Sequence, residues 1–136
     1  MRLSLFIAFL FITFLFIGNY LFAGDTTDVK KEKPKILYGT ASYYSNSFNG
    51  KKTANGEIYS HKKMTAACNV LPLGTWIRVT NLRNGKSVVV KTNDRLHTRM
   101  TRVVDLSREA ADKLGYVKSG LTRVRVEVIG KKKPAK

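Results

Sequence analysis

The segment from Thr122 to Ile129 constrains the fold most, because its charged and apolar residues alternate from Arg123 to Val128. Three valines fall on one face of an extended chain and three charged residues on the other: Val124, Val126 and Val128 against Arg123, Arg125 and Glu127. A period of two residues is typical of a half-buried β-strand. The sequence therefore predicts that a sheet supplies part of the core.

Four further segments have strand-like composition. They are Leu37 to Tyr44, Trp76 to Leu82, Ser87 to Thr92 and Thr101 to Leu106. The second and third are rich in β-branched residues and flank Asn84-Gly85, a pair that tolerates the positive φ angles of a tight hairpin turn. One hairpin is therefore predicted around this pair.

Only the segment from Ser107 to Leu114 has a helical pattern. Ser107 can cap the first amide groups, the apolar residues Ala110, Ala111 and Leu114 can face inward, and Gly115 can end the helix in a left-handed conformation. Many short strands, one helix and no room for two packed sheets predict a mainly β protein built as a small closed barrel.

The N-terminal stretch, residues 1–24, has the pattern of a secretory signal peptide. Arg2 precedes an uncharged run from Leu3 to Ile17 that is apolar except for Ser4 and Thr13, and Ala23-Gly24 offers small residues for cleavage. The stretch is also long enough to remain as a membrane anchor, which is the alternative that the sequence leaves open. The domain is expected to work in the periplasm or cell envelope, with membrane contact only if the leader is retained.

The remaining boundaries follow from composition. Residues 25–35 are a polar, basic linker, residues 36–130 are the folded domain, and residues 131–136 are a basic tail that is expected to pack against nothing. The only cysteine, Cys68, excludes an internal disulfide, and it lies too far downstream to be the acylated first residue of a lipoprotein.

The domain is strongly basic, with 16 Lys and Arg against six acids between residues 36 and 130, a surplus of +10. Such a charge favours an anionic partner. An exported chain seldom meets nucleic acid, whereas bacterial wall polymers carry many carboxylates, so we expect a wall polymer and no nucleic acid. No cluster of residues has metal-ligand spacing, and no metal or cofactor is expected.

Six ordered blocks of the chain resemble the rare lipoprotein A (RlpA) family. The blocks are Gly39 to Tyr44, Thr53 to Glu57, Leu71 to Thr75, Val79 to Gly85, Asn93 to Arg95 and Val104 to Ser107. The resemblance covers about Tyr38 to Val128. It implies a six-stranded double-psi β-barrel, a fold shared with expansins. It also implies cleavage of peptidoglycan glycan strands, with a preference for strands without stem peptides, and cell-division proteins as candidate partners.

The resemblance also implies roles for individual acids. A hydrolytic glycosidase normally uses two carboxyl groups, whereas a lytic transglycosylase needs one, because the C6 hydroxyl of the sugar attacks the anomeric carbon. Asp94 matches the position of a catalytic aspartate and is the expected acid/base. Glu57 matches a glutamate important for activity, and Asp105 a further family position. The alternatives are a turn residue for Asp94, a solvated side chain for Glu57 and an orienting partner of Arg102 for Asp105.

The chain also departs from the family. Many members carry a histidine where this chain has Cys68, and a thiol cannot replace an imidazole that both donates and accepts a proton. Cys68 is therefore either a supporting site residue or a buried small apolar residue, and His97 is a candidate substitute for the imidazole. This departure keeps a second hypothesis open, a non-catalytic, expansin-like module that binds peptidoglycan.

Aromatic and basic residues near the matched blocks are candidate sugar contacts. Ring faces of Tyr44 and Tyr59 can stack on the apolar face of a pyranose, and Arg95 can meet a carboxylate. The alternative for both tyrosines is the core of a small barrel, because most aromatic side chains in such a fold are buried.

Overall fold

The computed structural model describes residues 33–136, which contain six strands and one α-helix. In chain order they are β1 (Ile36–Tyr43), β2 (Thr65–Ala67), β3 (Trp76–Asn81), β4 (Ser87–Asp94), β5 (Val104–Leu106), α1 (Arg108–Leu114) and β6 (Thr122–Gly130). The predicted signal and the linker up to residue 32 lie outside the described residues. Within residues 33–136 no helix is long and apolar enough to cross a bilayer.

The strands close into a barrel in the order β1-β5-β2-β4-β3-β6. The first and last strands are antiparallel neighbours, with Ile36 opposite Glu127, while β1 runs parallel to β5 and β2 parallel to β4. Each strand thus has partners on both sides, and all of these partners come from residues 36–130. The predicted small, mainly β barrel with one short α-helix is confirmed.

Strand β6 confirms the alternation that the sequence shows. Val124 and Val126 are fully buried, whereas Arg123, just before them, is exposed and Arg125, between them, is half-buried. Facing strands complete the core with Ile77, Val79, Val90, Val104 and Leu106, all with no exposed surface. Burying a side chain of this size contributes about 1.5–3 kcal/mol each, so these few residues hold the barrel together without a disulfide.

The helix also follows its predicted pattern. The Oγ of Ser107 accepts a hydrogen bond from the backbone N–H of Ala110 at 3.4 Å, and Gly115 ends the helix with φ of 77°. Ala110, Ala111 and Leu114 are fully buried against the barrel. The cap, the inward face and the left-handed glycine therefore stand where the sequence placed them.

Strand β2 was not predicted. It has three residues, all buried, so it shows no alternation, and alanine has little preference for strands. The predicted strand from Thr101 is shorter in the structure and begins at Val104, whereas β4 continues two residues beyond Thr92. Short, fully buried strands are set by their neighbours and leave little pattern in the sequence.

The predicted hairpin of β3 and β4 is confirmed by their antiparallel pairing, but the tight turn and the unpacked basic tail are not. The connection between β3 and β4 has five residues, 82–86, and among them only Gly85 has a positive φ, 75°. It is therefore wider than a tight hairpin turn. The basic tail does contact the barrel, because the Nζ of Lys131 donates to the carbonyl of Leu73 at 2.9 Å and Lys133 lies over the ring of Trp76.

Candidate active site

A bulge at the end of β4 places Asp94 at a groove. Ala66 of β2 pairs with Thr92 and Ala67 pairs with Asp94, so Asn93 is an extra residue in β4. An extra residue bends the strand and re-aims the side chains beside it. Asp94 consequently lies on the wall of a groove of about 530 Å³ that is formed by the ends of β1, β2, β4 and β5 and by the loop after β4.

The groove brings together five residues that the sequence singled out. They are Tyr44, Asp94, Arg95, His97 and Asp105. Phe48 and Met100 add apolar wall and are 45% and 44% exposed. Apolar walls with a few placed polar groups are typical of ligand sites, and they suit a sugar ring with its apolar face and polar edge.

Three donors hold the carboxylate of Asp94. The backbone N–H groups of Ala54 and Arg95 donate to Oδ1 at 2.9 and 2.8 Å, and the phenol of Tyr44 donates to Oδ2 at 2.6 Å. Hydrogen bonds of this length are directional. They fix the plane of this carboxyl group at the groove wall.

Tyr44 couples this carboxylate to a stack of aromatic rings. Its ring lies 4.2 Å from that of Tyr59 between centroids, with an interplanar angle of 24°, and it meets Phe48 edge-on. Burial raises the pKa of Tyr44 strongly, and the hydrogen bond to Asp94 raises it further. The phenol therefore keeps its proton over the physiological range and faces Asp94 as a donor.

Tyr59 supports the groove from beneath and does not line it. Only 3% of its surface is exposed. Its hydroxyl lies 2.9 Å from Nδ1 of His61 and accepts a hydrogen bond from the backbone N–H of Arg108 at 3.3 Å, and burial raises its pKa. Contact between Tyr59 and a sugar, as the sequence predicted, does not fit this placement, because Tyr44 covers the ring.

Glu57 lies outside the groove lining. Its carboxylate accepts hydrogen bonds from the side-chain amides of Asn55 at 2.8 Å and Asn93 at 3.2 Å, and Nζ of Lys91 is 3.9 Å away. The bond from Asn93, followed by that from Asn55, lowers the pKa of Glu57 below its usual range. Glu57 is therefore ionised near neutral pH and is unsuited to donate a proton.

The position of Glu57 nevertheless bears on Asp94. The backbone N–H of Thr53 donates to the carbonyl of Glu57 at 2.8 Å, which closes the loop from Thr53 to Glu57. This loop carries Ala54, whose N–H reaches Asp94, and the N–H of Asn55 donates to the carbonyl of Asn93. Glu57 thus fastens the loop that supplies one of the three donors.

Asp105 is the second carboxylate of the groove. Ala67 pairs with Asp94 on one side and with Asp105 on the other, so the two acids flank a single alanine across neighbouring strands. Both oxygens of Asp105 accept from Arg102, at 2.8 and 3.0 Å, and this ion pair raises the pKa of Arg102. Asp105 therefore holds Arg102, the alternative that the sequence analysis left open.

The remaining candidates, Cys68, Arg95 and His97, form hydrogen bonds with the protein itself. Cys68 is fully buried, and its backbone N–H donates to the carbonyl of Asp94 at 3.0 Å. Nη1 of Arg95 donates to the carbonyls of Cys68 and Leu71, so this guanidinium fastens the connection between β2 and β3. His97 is exposed at the rim, where its Nδ1 accepts from the N–H of Arg99 at 3.2 Å; no hydrogen bond joins it to Asp94 among the described residues.

Sequence reasoning missed the two asparagines that organise the site. Asn55 and Asn93 bridge the Glu57 loop to β4, and Asn93 is 2% exposed with a buried Oδ1 that has no partner among the described atoms. Asn55-Gly56 is a turn signal in the sequence, and asparagine side chains often bond to nearby backbone in such turns. That signal predicts a local turn, whereas the contact with β4 depends on the fold.

Comparisons with known proteins agree with this architecture. A family model described as lytic transglycolase matches residues 37–126. The chain is 55% identical over 93 residues to the endolytic peptidoglycan transglycosylase RlpA of Pseudomonas aeruginosa, covering 68% of this chain and 27% of that protein. It is 46% identical over 112 residues to the protein of the same name from Neisseria meningitidis, covering 82% and 47%. The chain thus spans less than half the length of these curated relatives.

Solved structures share the fold at lower identity. Streptomyces papain inhibitor superposes with a TM-score of 0.58 at 19% identity, covering 70% of this chain and 94% of that chain. An expansin from Clavibacter michiganensis gives a TM-score of 0.58 at 22% identity, covering 75% and 53%. Identities this low support the barrel architecture alone, whereas the match over residues 37–126 is specific. The chain therefore belongs to the RlpA-like lytic transglycolase family of double-psi β-barrels.

Proposed function

We propose that this chain is an endolytic lytic transglycosylase that cleaves peptidoglycan glycan strands and leaves 1,6-anhydromuramyl ends. One observation carries the proposal, the carboxyl group of Asp94 held by three donors at the wall of an apolar groove. Relatives that match most of the described barrel bear the name of this activity. The preference for strands without stem peptides belongs to the same proposal.

In the proposed reaction Asp94 serves as acid and then as base. Its carboxyl group protonates the glycosidic oxygen as the bond to the anomeric carbon breaks, and the C6 hydroxyl of the same sugar attacks that carbon. The carboxylate then takes the proton of the attacking hydroxyl. The proton balance closes, no water is consumed, and the product carries the 1,6-anhydro ring. A second catalytic carboxylate is unnecessary, consistent with Glu57 being ionised outside the groove and Asp105 being paired with Arg102.

The other groups around Asp94 orient it. The N–H groups of Ala54 and Arg95 hold Oδ1, and the neutral phenol of Tyr44 holds Oδ2. Phe48 and Met100 offer apolar surface to the sugar.

We further propose that the chain is exported through residues 1–24 to the periplasm or cell envelope, where it meets its glycan and cell-division proteins.

Product analysis tests this function. Purified protein incubated with glycan strands stripped of stem peptides should release fragments with 1,6-anhydro-N-acetylmuramic acid ends, detectable by mass spectrometry. An Asp94→Asn protein should release none. Asp112→Asn is the matched control, because Asp112 is an exposed carboxylate of α1 away from the groove lining. Reducing ends without the anhydro ring, or no cleavage by a folded wild-type protein, would exclude the proposal.

The second candidate is a non-catalytic module that binds peptidoglycan. It is favoured by the burial of Cys68 at the position of the family histidine, which leaves the groove without an imidazole directly after β2. This candidate predicts that the protein sediments with wall sacculi in a salt-dependent manner while the length of their glycan strands stays unchanged. The same incubation therefore separates the two candidates.

A further inference from the structure

Four arginines project outward around strand β6, on the side of the barrel away from the groove. They are Arg78 on β3, Arg83 in the connection after β3, and Arg123 and Arg125 on β6. The pairing of β6 with β1 sets Tyr38 beside Arg125 and Thr40 beside Arg123. We call this surface, with Leu82 and Leu121 at its margin, the β6 face.

Large apolar side chains are exposed among these arginines. Tyr38 is 62% exposed, Leu121 50% and Leu82 49%. Ile36, at the start of β1, is 42% exposed next to Glu127. Single exposed apolar residues are ordinary on a protein surface, but several interleaved with cations mark a surface that is both apolar and basic.

The charge of the β6 face is unbalanced. Among the described residues the acid on this surface is Glu127, which lies 4.0 Å from Arg78 and 3.7 Å from Arg125. Arg83 and Arg123 form no ion pair within residues 33–136. The carboxylates of Glu57, Asp94 and Asp105 all lie at the groove or its supporting loop. The β6 face therefore carries an excess of positive charge.

The order of the strands fixes where the two surfaces lie. In the ring β1-β5-β2-β4-β3-β6, strand β2 is three places from β6 in either direction. Ala67 of β2 is flanked by Asp94 and Asp105, so the groove is centred on β2. The β6 face and the groove therefore lie on opposite sides of a six-stranded barrel.

We infer that the β6 face binds the surface of a bilayer containing anionic phospholipid, and so directs the groove away from the membrane. Guanidinium groups bind phosphate oxygens in a fixed, two-pronged geometry. Aromatic and aliphatic side chains beside them enter the boundary between headgroups and acyl chains. A hydrated wall polyanion offers no apolar phase for Leu82, Leu121 and Ile36, which is why these residues favour lipid over polymer.

The chain direction is consistent with this arrangement. Lys33 and Lys35 are exposed immediately before β1, and the backbone of Lys35 accepts a hydrogen bond from the N–H of Val128 at the end of the same face. The basic charge next to the barrel therefore continues the β6 face. Each lysine or arginine near an anionic bilayer contributes to attraction that salt weakens, so binding should fall as ionic strength rises.

Vesicle flotation tests the inference. The segment 33–136, which contains all six paired strands and the core, should float with vesicles containing roughly a third phosphatidylglycerol and should not float with pure phosphatidylcholine vesicles. Arg83→Glu with Arg123→Glu should weaken binding to the anionic vesicles at least about tenfold. The matched control is Lys52→Glu with Lys62→Glu, an equal change of charge on the exposed loop between β1 and β2, and it should bind nearly as the wild type does.

Folding controls and a second pair of substitutions complete the vesicle experiment. Circular dichroism and a cooperative thermal transition confirm that every protein is folded, and Tyr38→Ser with Leu121→Ser should also weaken binding. The full chain is assayed in the same way, with the difference between anionic and neutral vesicles as the readout.

Equal losses in the arginine and lysine variants would overturn the inference in favour of net charge. Unchanged vesicle binding, with loss of sedimentation with sacculi, would overturn it in favour of a wall polymer. Neither result depends on glycan cleavage.

Discussion

Asp94 and Glu57 are two carboxylates from matched family blocks, yet the structure places them in different environments. Asp94 faces the groove and is held by two backbone N–H groups and a phenol. Glu57 lies outside the groove lining, held by two asparagine amides with a lysine nearby. Both lie near the same bulge in β4. The carboxylate of Asp94 faces the groove, whereas that of Glu57 binds side chains of the protein itself.

In our proposal the barrel needs Glu57 although this acid takes no part in proton transfer. The lowered pKa of Glu57 keeps it charged, and a charged carboxylate holds both asparagine amides firmly. Through the loop that ends at Glu57, the N–H of Ala54 reaches Asp94. Glu57 is therefore a positioning residue in our proposal, and Asp94 is the catalytic residue.

The largest expected effect separates these roles directly. Asp94→Asn should lower the rate of glycan cleavage about 10³-fold or more, because the amide can neither give nor take the proton. Glu57→Gln should lower it only a few-fold. Rates are measured from the release of anhydromuramyl ends under identical conditions. A loss in Glu57→Gln as large as that in Asp94→Asn would show that Glu57 also takes part in proton transfer.

The next effect concerns the residue whose backbone supports Asp94. Cys68→His should give no gain in cleavage and should destabilise the barrel by about 2–3 kcal/mol, because a larger polar ring replaces a fully buried thiol. Differential scanning calorimetry should show a clearly lower Tm. Cys68→Ala is the control and should stay closer to the wild type. A stable, faster Cys68→His enzyme would mean that this position opens to the groove.

Removal of one donor to Asp94 should have an intermediate effect. Tyr44→Phe keeps the stacked ring but loses the 2.6 Å hydrogen bond, so we expect about a 10- to 100-fold lower kcat with little change in KM. Tyr43→Phe is the matched control, because the hydroxyl of Tyr43 donates to the carbonyl of Val117 and not to Asp94. An equal loss in both variants would contradict a specific role for Tyr44.

The smallest effect is the pH dependence of stability. The pKa of Glu57 is lower in the folded protein, so its contribution is present above the ordinary value of about 4.3 and is lost as the pH falls through the folded value. Glu57→Gln should therefore show a shallower loss of stability between about pH 5 and 3. The effect is small because the side chain is 40% exposed and solvent screens it. Urea unfolding at several pH values measures the free energy of unfolding of both proteins. The same pH dependence in the wild type and in Glu57→Gln would contradict this prediction.

The sequence predicted the framework of the barrel where side-chain patterns are long. The alternating valines of β6, the branched residues of β3 and β4, and the Ser107 and Gly115 ends of α1 each impose local geometry that tertiary contacts do not overrule. Strand β2 was missed because three buried residues, Thr65 to Ala67, contain no period and acquire their conformation from β4 and β5.

The candidate site was predicted less completely than the fold. Ordered motif blocks pointed to Asp94, Asp105 and Tyr44, which share the groove, because strand ends from distant blocks meet at one side of the barrel. They did not show that Tyr59 lies beneath Tyr44, or that Arg95 bonds to backbone carbonyls. Those outcomes depend on how side chains of separate loops pack together, which no spacing along the chain encodes.

The pairing of β1 with β6 has a consequence for how such a domain can be joined to others. Ile36 lies opposite Glu127, so the polypeptide enters and leaves the barrel at neighbouring points. Extra sequence can be attached at either side, or the whole unit can be inserted into a host loop, without threading through the fold. The longer relatives can therefore carry the same barrel as an independent domain, and the sequence on either side of it can differ between them.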